Sequence, residues 1–418
     1  MTPEQQETLV RVGPGTPMGA LLRRYWFPVA ASVELPRGAA RAVRLLGEDL
    51  VVFRSQAGEL GLLEEHCPHR RASLRLGVVD DEGIRCPYHG FKFSPRGRCL
   101  ALPFERRDPR GLARFDATAY RAEELGGLVF AYLGPEPAPL LPRYDLYVWG
   151  GVLRDVGRAL LPCNWLQIME NSVDPLHLEW LHGHHLAAVR RERGLSEPRL
   201  YRRPQVRIGF DVFRYGIVKR RVLEGGSEAD EDWTTGHPLV FPVTLRVGVG
   251  LQHRFQIRVP VDDTHTAHWW YACYRPPEGV APPEQREVPV YEVPWRDEQG
   301  EFLVDFVDGQ DIMTWVTQGA IADRTRERLA ASDKGIVLLR SLLLEQIERV
   351  GRGLDPLGIV RDPAENAIIE LPQEREKYGD GRSFLADALD LTHVRYSPLR
   401  EEIRRLVGAR PGEAARGT

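Results

Sequence analysis

The stretch HCPHRRASLRLGVVDDEGIRCPYHG, residues 66–90, carries two mixed pairs of metal-ligand side chains: Cys67 with His69 as C-x-H, and Cys86 with His89 as C-x-x-H. Sixteen residues, 70–85, separate the pairs. Further along, NWLQIMENSVDPLHLEWLHGHH, residues 164–185, offers Asp174, His177 and His182 behind Glu170 and Asn171. A third stretch, DFVDGQDIMTWVTQG, residues 305–319, adds the carboxylates Asp305, Asp308 and Asp311. Thiolates, imidazoles and carboxylates grouped in this way are the side chains that hold transition metals.

The Cys/His pairs admit four chemistries. The five cysteines (67, 86, 99, 163 and 273) are too few and too odd in number for a disulfide framework, and a bridge would leave both histidines without a role. No C-x-x-C redox motif occurs. Zinc is the serious rival, because two thiolates and two imidazoles make a good tetrahedral site. Zinc fingers of that composition pair Cys with Cys and His with His, whereas each pair here is mixed. A [2Fe–2S] cluster with two cysteines on one iron and two histidines on the other takes one of each from two loops, which is Rieske ligation. Pro68, Pro87 and Gly90 would stiffen and tighten those loops. Cys67, His69, Cys86 and His89 are therefore read as cluster ligands. His66 and Cys99 fall outside the pattern as packing or surface residues.

Two imidazoles plus one carboxylate form the facial triad of non-haem Fe(II) enzymes, which leaves positions open for O2 and substrate. His177 and His182 are five residues apart, about 140° on a regular α-helix. Both can face one metal only across a wide turn or local break, so an irregular helix is expected there. Asp174, three before His177 and about 60° round, can hydrogen-bond the ligand's other ring nitrogen. Taken alone, the clustered histidines 182, 184 and 185 describe a solvated loop as well. Glu179 reads as a solvent-facing helix residue, and His184 and His185 as loop residues. A one-electron carrier upstream needs something to reduce, and that favours iron. The residues by themselves leave Asp305, Asp308 and Asp311 open as the third ligand. Asp323 and Asp333 precede helical patterns and read as capping residues.

The elements that must position these groups divide unevenly. A chain of 418 residues exceeds one ordinary core, so two domains are expected. A short helix opens the chain at Thr16-Pro17 before MGALLRRYW. Short strands follow from 40 to 133. AVRLLGEDLVVFR makes a hairpin around GED, FKFSPRGRCLAL another around PRG, and GGLVFAYLG a buried strand. The proline-rich 134–144 is a linker. Beyond it, 163–186 reads as mostly helix, while RIGFDVFRYGIVKRRV and 240–275 alternate like long antiparallel strands. SDKGIVLLRSLLLEQIERVGRG is an amphipathic helix with Ser332 as N-cap and Gly351 as its stop. With 56 basic against 59 acidic side chains, the net charge of −3 points to neither nucleic acid nor a membrane surface. No apolar run reaches the ~18 residues of a membrane span. MTPEQQETLVRVGPG has no signal-peptide pattern, which leaves the cytosol as the expected compartment.

C-x-H…C-x-x-H followed by E-N-x-x-D-x-x-H-x-x-x-x-H resembles the Rieske non-haem iron ring-hydroxylating oxygenases, α-type oxygenase component. The similarity runs from RVGPGTPMGALLRRYWFPV to about SDKGIVLLR. NWLQIMENSVDPLHLEWLH, DWTTGHPLVFP and QDIMTWVTQGAIADRTRERLAASDKGI look like the branch that includes phthalate dioxygenase. The resemblance implies an α+β fold: a Rieske-type antiparallel β domain (27–134) between an N-terminal helical segment (1–26) and a helix-grip catalytic domain (135–418). It places the third iron ligand at Asp311, in Q-D-x-x-x-W. It also makes Asp174 a bridge between a Rieske histidine of one subunit and His177 of the next, in a homotrimer. The stretch from 352 onward carries no usable motif.

On that resemblance the chain is expected to hydroxylate a small carboxylated aromatic substrate with O2. No nucleotide-binding fingerprint occurs, so electrons from NAD(P)H would arrive through a separate reductase or ferredoxin. O- or N-demethylation with release of formaldehyde is the runner-up, since the iron chemistry is shared. A Rieske electron carrier without oxygenase activity is the rival from another class, and a zinc-binding interaction protein the remote third. Arg207, Arg220, Arg254 and Arg258 lie in predicted strands. One of them could clamp a carboxylate, although the simpler expectation is four solvated strand residues.

Overall fold

The computed structural model describes residues 1–103, 109–198, 201–281, 284–373 and 381–408. Ten strands lie between Trp26 and Tyr132: β1 (Trp26–Ala31), β2 (Ala40–Leu45), β3 (Glu48–Arg54), β4 (Leu60–Glu64), β5 (Val78–Val79), β6 (Ile84–Arg85), β7 (Lys92–Phe93), β8 (Cys99–Ala101), β9 (Ala119–Leu125) and β10 (Leu128–Tyr132). They form a six-stranded sheet ordered β1-β10-β9-β4-β3-β2 and a small sheet ordered β5-β6-β7-β8. Eight more strands follow: β11 (Leu153–Leu161), β12 (Gln205–Phe213), β13 (Gly216–Leu223), β14 (His237–Val240), β15 (Thr244–Val249), β16 (Gln252–Pro260), β17 (Thr266–Tyr274) and β18 (Val290–Glu292). Their order is β12-β13-β14-β15-β16-β17-β11-β18, antiparallel except for the β11/β18 pair. The α+β class expected from the sequence is what the chain adopts.

Strand alternation splits the large sheet into two chemically distinct faces. Phe255, Ile257, Trp269, Tyr271 and Cys273 join the main apolar core. On the opposite face, Trp270 packs with Ile312 and Trp315 of the Val307–Thr317 helix. Ala272 and Tyr274 pack on that face against the Arg382–Leu391 and Arg400–Gly408 helices. The long antiparallel sheet therefore grips the helix that carries Asp308 and Asp311.

Two hairpin turns dock the small β unit on the large sheet. Leu46 and Gly47 both adopt positive φ (51° and 78°), the two-residue turn whose twist suits a hairpin. The turn thus sits one step before the expected Gly-Glu-Asp. Leu46 tolerates its left-handed backbone because its N–H donates to Pro260 O (3.0 Å), while Gly47 N–H donates to Val261 O (2.8 Å). The β9–β10 turn is held likewise, with Tyr271 Oη donating to Gly126 O at 2.7 Å.

Several local expectations need correction. The Pro17–Leu22 helix is capped by Thr16 as expected, but a Pro3–Val10 helix with a Thr2/Gln5 capping box precedes it. The Lys334–Gly351 helix starts behind Asp333, not Ser332, because a 3-10 turn over Ala331–Asp333 takes up the serine. Asp323 caps no helix; its carboxylate accepts from Thr325 N–H and Oγ1 in a turn. Among the described residues no helix is long and apolar enough to cross a membrane.

Asp155 on β11 is fully buried, accepts from Tyr274 Oη (3.2 Å) and Ser397 Oγ, and is pushed up to about 7 by burial. An unfolded aspartate titrates near 4, so between about pH 4 and 7 the folded state binds the extra proton, and stability falls as pH rises through that window. Asp155→Asn should therefore lose less stability than the wild type between pH 5 and 8. Thermal unfolding midpoints at the two pH values check this; an equal loss in both proteins would show that Asp155 is ionised in the folded state.

Candidate metal centres

The first centre sits on two loops built alike. Cys67 N–H donates to Ala72 O (2.9 Å) while Arg71 N–H donates back to Cys67 O (2.9 Å). Cys86 N–H donates to Phe91 O (2.7 Å) while Gly90 N–H donates back to Cys86 O (3.1 Å). The residue four after each cysteine is left-handed, Arg71 at φ 61° and Gly90 at φ 73°. Glycine suits that backbone at position 90, and a Cβ there would also press on Pro103 at 3.0 Å.

These loops bring the four predicted side chains together. Cys67 and Cys86 are buried, unbridged and close enough for their sulfurs to interact. The His69 and His89 rings lie 4.7 Å apart, half-buried at the rim, and His69 stacks on Phe91 at 4.3 Å and 8°. Burial pushes the Cys67 thiol up to about 11, and Cys86 beside it adds to that, against the backbone N–H groups of His69 and Arg70. Such a thiol stays protonated at neutral pH unless a metal takes the proton's place. Paired buried sulfurs with paired imidazoles at the rim fit a cluster with two different irons. His66 forms a β-bridge with Ser73 and its carbonyl accepts from Arg71, and Cys99 is buried in the same small core, so neither is counted with the four side chains.

The second centre depends on how the chain winds after the Trp165–Ser172 helix. That helix, capped by Asn164, ends before Pro175, and residues Leu178–His185 continue as a π-helix. Hydrogen bonding five residues apart brings residues five apart toward one side. His177, at the start of this turn, and His182 within it therefore converge, their rings 5.3 Å apart. Asp311, from the Val307–Thr317 helix, completes the group: His177, His182 and Asp311 offer donor atoms all within 4.8 Å of one another. Asp311 Oδ1 lies 3.2 Å from His182 Nε2 and 3.9 Å from His177 Nε2, and it is buried without a hydrogen bond. A buried carboxylate oxygen facing two imidazole nitrogens is what a divalent metal would satisfy.

The ring orientations fit that use. His177 Nδ1–H donates to the Asp174 backbone carbonyl at 2.5 Å, which leaves Nε2 unprotonated toward Asp311. Burial holds His177 down at about 4, against the pull of Asp311. For His182 burial acts in the same direction, but Asp311 outweighs it and holds the ring above its ordinary value. The Gln310 side chain stands 3.3 Å from His182 Nδ1 and 2.8 Å from His185 Nδ1. The Asp174 carboxylate does not take the expected place beside the ring: Oδ2 is 3.8 Å from His177 Nδ1, and Oδ1 accepts from Leu176 N–H. A recess of about 430 Å³ opens outward from Asp174 and His177, with the exposed Trp180 on its wall.

The other acidic candidates have separate tasks. Asp308 Oδ1 accepts from Trp270 Nε1 (2.8 Å), and Oδ2 accepts from His393 N–H (2.6 Å). Asp305 pairs with Arg395 at 3.0 Å. Glu170 receives Arg324 (2.8 Å) and Arg340 (2.7 Å) in a network at the inner wall of the recess. Glu179 is half-buried and accepts from Gln205 N–H, and His184 and His185 belong to the π-helix instead of a loop. Of the four arginines, Arg207 and Arg220 pair with Glu228 and Asp211 on the surface, whereas Arg254 meets His393 and Arg258 is fully buried. Sequence reasoning missed Lys219, His268 and His393. Lys219 is buried, donates to Ser172 O (2.9 Å) and is brought down to about 7 by burial. Only strand alternation could have flagged it, and nothing around His393 marks it.

Residues 25–118 match the family model of the Rieske [2Fe-2S] domain, and residues 131–289 and 297–384 that of the LigXa C-terminal domain like family. The chain is 42% identical over 376 residues to the 5,5'-dehydrodivanillate O-demethylase oxygenase subunit of Sphingobium sp., covering 89% of this chain and 86% of the relative. It is 32% identical over 394 residues to the phthalate 4,5-dioxygenase oxygenase subunit of Pseudomonas putida, covering 86% and 89%. Among solved structures it shares its fold with an oxygenase variant of carbazole 1,9a-dioxygenase in complex with ferredoxin (18% identity, TM-score 0.58, covering 87% and 94%).

Of the three candidate carboxylates, Asp311 is the one grouped with two imidazoles. Asp311→Ala should abolish tight Fe(II) uptake by the second centre while leaving the visible spectrum of the first unchanged. Asp308→Ala should retain more of the iron, because its carboxylate is engaged elsewhere. Iron per chain and the visible spectrum of each purified variant check this; the reverse pattern would move the ligand to Asp308.

Proposed function

The chain belongs to the Rieske non-haem iron oxygenases, and we propose that it is the terminal oxygenase of an O-demethylating system acting on a methoxylated aromatic substrate. As a member it carries a Rieske [2Fe–2S] cluster and a mononuclear iron, and uses O2. The observation that supports demethylation over the expected ring hydroxylation is the 42% identity to an O-demethylase subunit, against 32% to phthalate 4,5-dioxygenase, at similar coverage. The overall change is R–O–CH3 + O2 + 2 e⁻ + 2 H⁺ → R–OH + HCHO + H2O. The electrons come from NAD(P)H through a separate reductase or ferredoxin; the solved ferredoxin complex of a related fold supports a protein donor.

In this reading Cys67, His69, Cys86 and His89 hold the cluster, and His177, His182 and Asp311 hold the iron. The bound metals supply one-electron transfer and O2 activation. The protein supplies the rest. The backbone bond from His177 Nδ1 to Asp174 O fixes the ring that faces the metal. Gln310 braces the segment around His182, its amide donating to Leu181 O (2.7 Å) and accepting from His185 Nδ1 (2.8 Å). Trp270 and Trp315, both buried, pack with Ile312 and so seat the helix that carries Asp311 against the large sheet. Residues 27–134 act as the cluster domain. The segment 1–26 works with 135–418, as its contacts suggest: Asn164 Nδ2 donates to Val10 O (3.0 Å) and Arg324 N–H to Gln6 Oε1 (2.7 Å).

Asp174 bridges to the cluster of a neighbouring copy in a homotrimer. Its Oδ2 has no hydrogen-bond donor among the described residues and opens onto the 430 Å³ recess, where a half-exposed His69 or His89 of the partner subunit could donate.

Two outcomes test these readings. With a surrogate reductase and NADH, a methoxylated aromatic substrate should yield one formaldehyde per O2 consumed; a ring diol without formaldehyde would establish the ring-hydroxylating alternative. Asp174→Asn should leave both centres loaded yet slow single-turnover cluster re-oxidation by about 10–100-fold. Re-oxidation at the wild-type rate would reduce Asp174 to a turn residue before Pro175.

A further inference from the structure

Among the described residues four arginines are almost completely buried: Arg190, Arg246, Arg258 and Arg324. Three have a carboxylate partner: Arg190 with Asp390 (2.5 Å), Arg246 with Asp145 (3.0 Å) and Arg324 with Glu170 (2.8 Å). Arg258 has none among the described residues. Its guanidinium donates only to Gln256 O (2.9 Å) and Gln256 Oε1 (2.7 Å), both neutral, and its Nε–H is buried without an acceptor. Burial brings Arg258 down to about 9, so it is still a cation at neutral pH. An unpaired buried cation is costly enough that folded chains avoid it unless something else supplies the anion.

Its cross-strand neighbour has the same deficit. Arg258 on β16 stands opposite His268 on β17, so both side chains leave the same face of the sheet. His268 is fully buried, and neither ring nitrogen has a partner among the described residues. The ring lies between Trp270 (centroids 4.2 Å) and Trp315 (5.3 Å, 20°), and Trp315 is one turn beyond Asp311 on the same helix. Unsatisfied polar atoms on both residues thus lie on the sheet face whose Trp270 packs against the helix that carries Asp311. Neither nearby carboxylate can serve them: Asp311 is turned to the two histidines, and Asp308 is taken by Trp270 and His393.

We propose that Arg258 and His268 form a buried anion subsite beside the helix that carries Asp311, which takes the carboxylate of a methoxylated aromatic acid. This names the substrate class for the demethylation reading and rests on it. Arg258 gives charge and directed N–H groups, and His268 adds a neutral N–H. The aromatic rings beside them suit the substrate's ring. The subsite and the iron then fix two points of one molecule, which decides which substituent reaches the metal.

The test uses the holoenzyme and a panel of probes: vanillate, 3-methoxybenzoate, 4-methoxybenzoate and 5,5'-dehydrodivanillate, each paired with its carboxamide. Binding is measured by calorimetry and formaldehyde is scored separately. At least one acid should bind about 100-fold tighter than its amide. Arg258→Gln and His268→Asn should each erase most of that preference, and Arg258→Lys should recover part of it, with the visible spectrum unchanged in all three. Acid and amide binding alike, no acid binding, or the preference surviving in both Arg258→Gln and His268→Asn would overturn the subsite. The two readings fail separately. Arg258-dependent acid binding with a hydroxylated product and no formaldehyde keeps the subsite and removes demethylation. Formaldehyde from acids and amides alike does the opposite.

Discussion

Two histidines five residues apart must look at one point, and a regular α-helix forbids it. The chain meets this constraint with a break before Pro175 and a π-helical stretch from Leu178 to His185. Several other features depend on that winding. The break leaves the Asp174 carbonyl free of helix bonding, so it can accept from His177 Nδ1 at 2.5 Å. The π-turn brings His185 round to Gln310, which ties the histidine segment to the helix carrying Asp311. A π-bulge wastes backbone hydrogen bonding that an α-helix would keep, and such stretches persist mostly where a site requires them.

Holding Asp311 in place is the second problem, because its helix lies over a buried face rich in charge. Asp308, one turn earlier, is the anchor: Trp270 reaches it from the sheet and His393 from the C-terminal segment. The opposing charge of Arg254 and the His393 contact outweigh burial and hold Asp308 far below the usual carboxylate range. The flanking segment is clamped by the same region, through Arg395 to Asp305 and through Arg190, which donates to Asp305 O (2.9 Å) and pairs with Asp390. Truncating one partner of such a buried set leaves the other uncompensated, which is why these contacts behave as a unit. The C-terminal segments thus act as a brace on the helix that carries Asp311, a role for the region beyond 352.

Much of this was legible in the sequence because ligand chemistry is written in residue type and spacing. The mixed order of Cys67, His69, Cys86 and His89 pointed to two loops, and the structure shows two loops of one design. The five-residue interval from His177 to His182 required an irregular helix, and one is present. Alternation exposed the long strands of the large sheet. What stayed hidden depends on long-range pairing. Arg258 and His268 are ordinary strand residues until register places them opposite each other. His393 has no local pattern, and its task appears only when a distant segment returns to Asp308. The Asp174 carboxylate was assigned to His177 by helical angle, but the break rotates the backbone carbonyl into that position instead.

The first centre is asymmetric in a way that bears on how electrons leave it. The two sulfurs are sunk in the small core, where Phe91, Phe93 and Leu74 surround them. The two imidazoles lie at the rim, partly open to solvent. Electron exchange with another protein falls off with separation, so the histidine edge is the face that must approach a partner. Across from such an edge, an acceptor needs a group that can take an imidazole N–H and is itself joined to the second metal's ligand. Asp174 has the matching groups: Oδ2 has no donor among the described residues, and its carbonyl accepts from His177 Nδ1. The contact with His177 therefore runs through the main chain of Asp174, not its carboxylate. The carboxylate remains free to face outward, and a single residue can serve both sides of the gap.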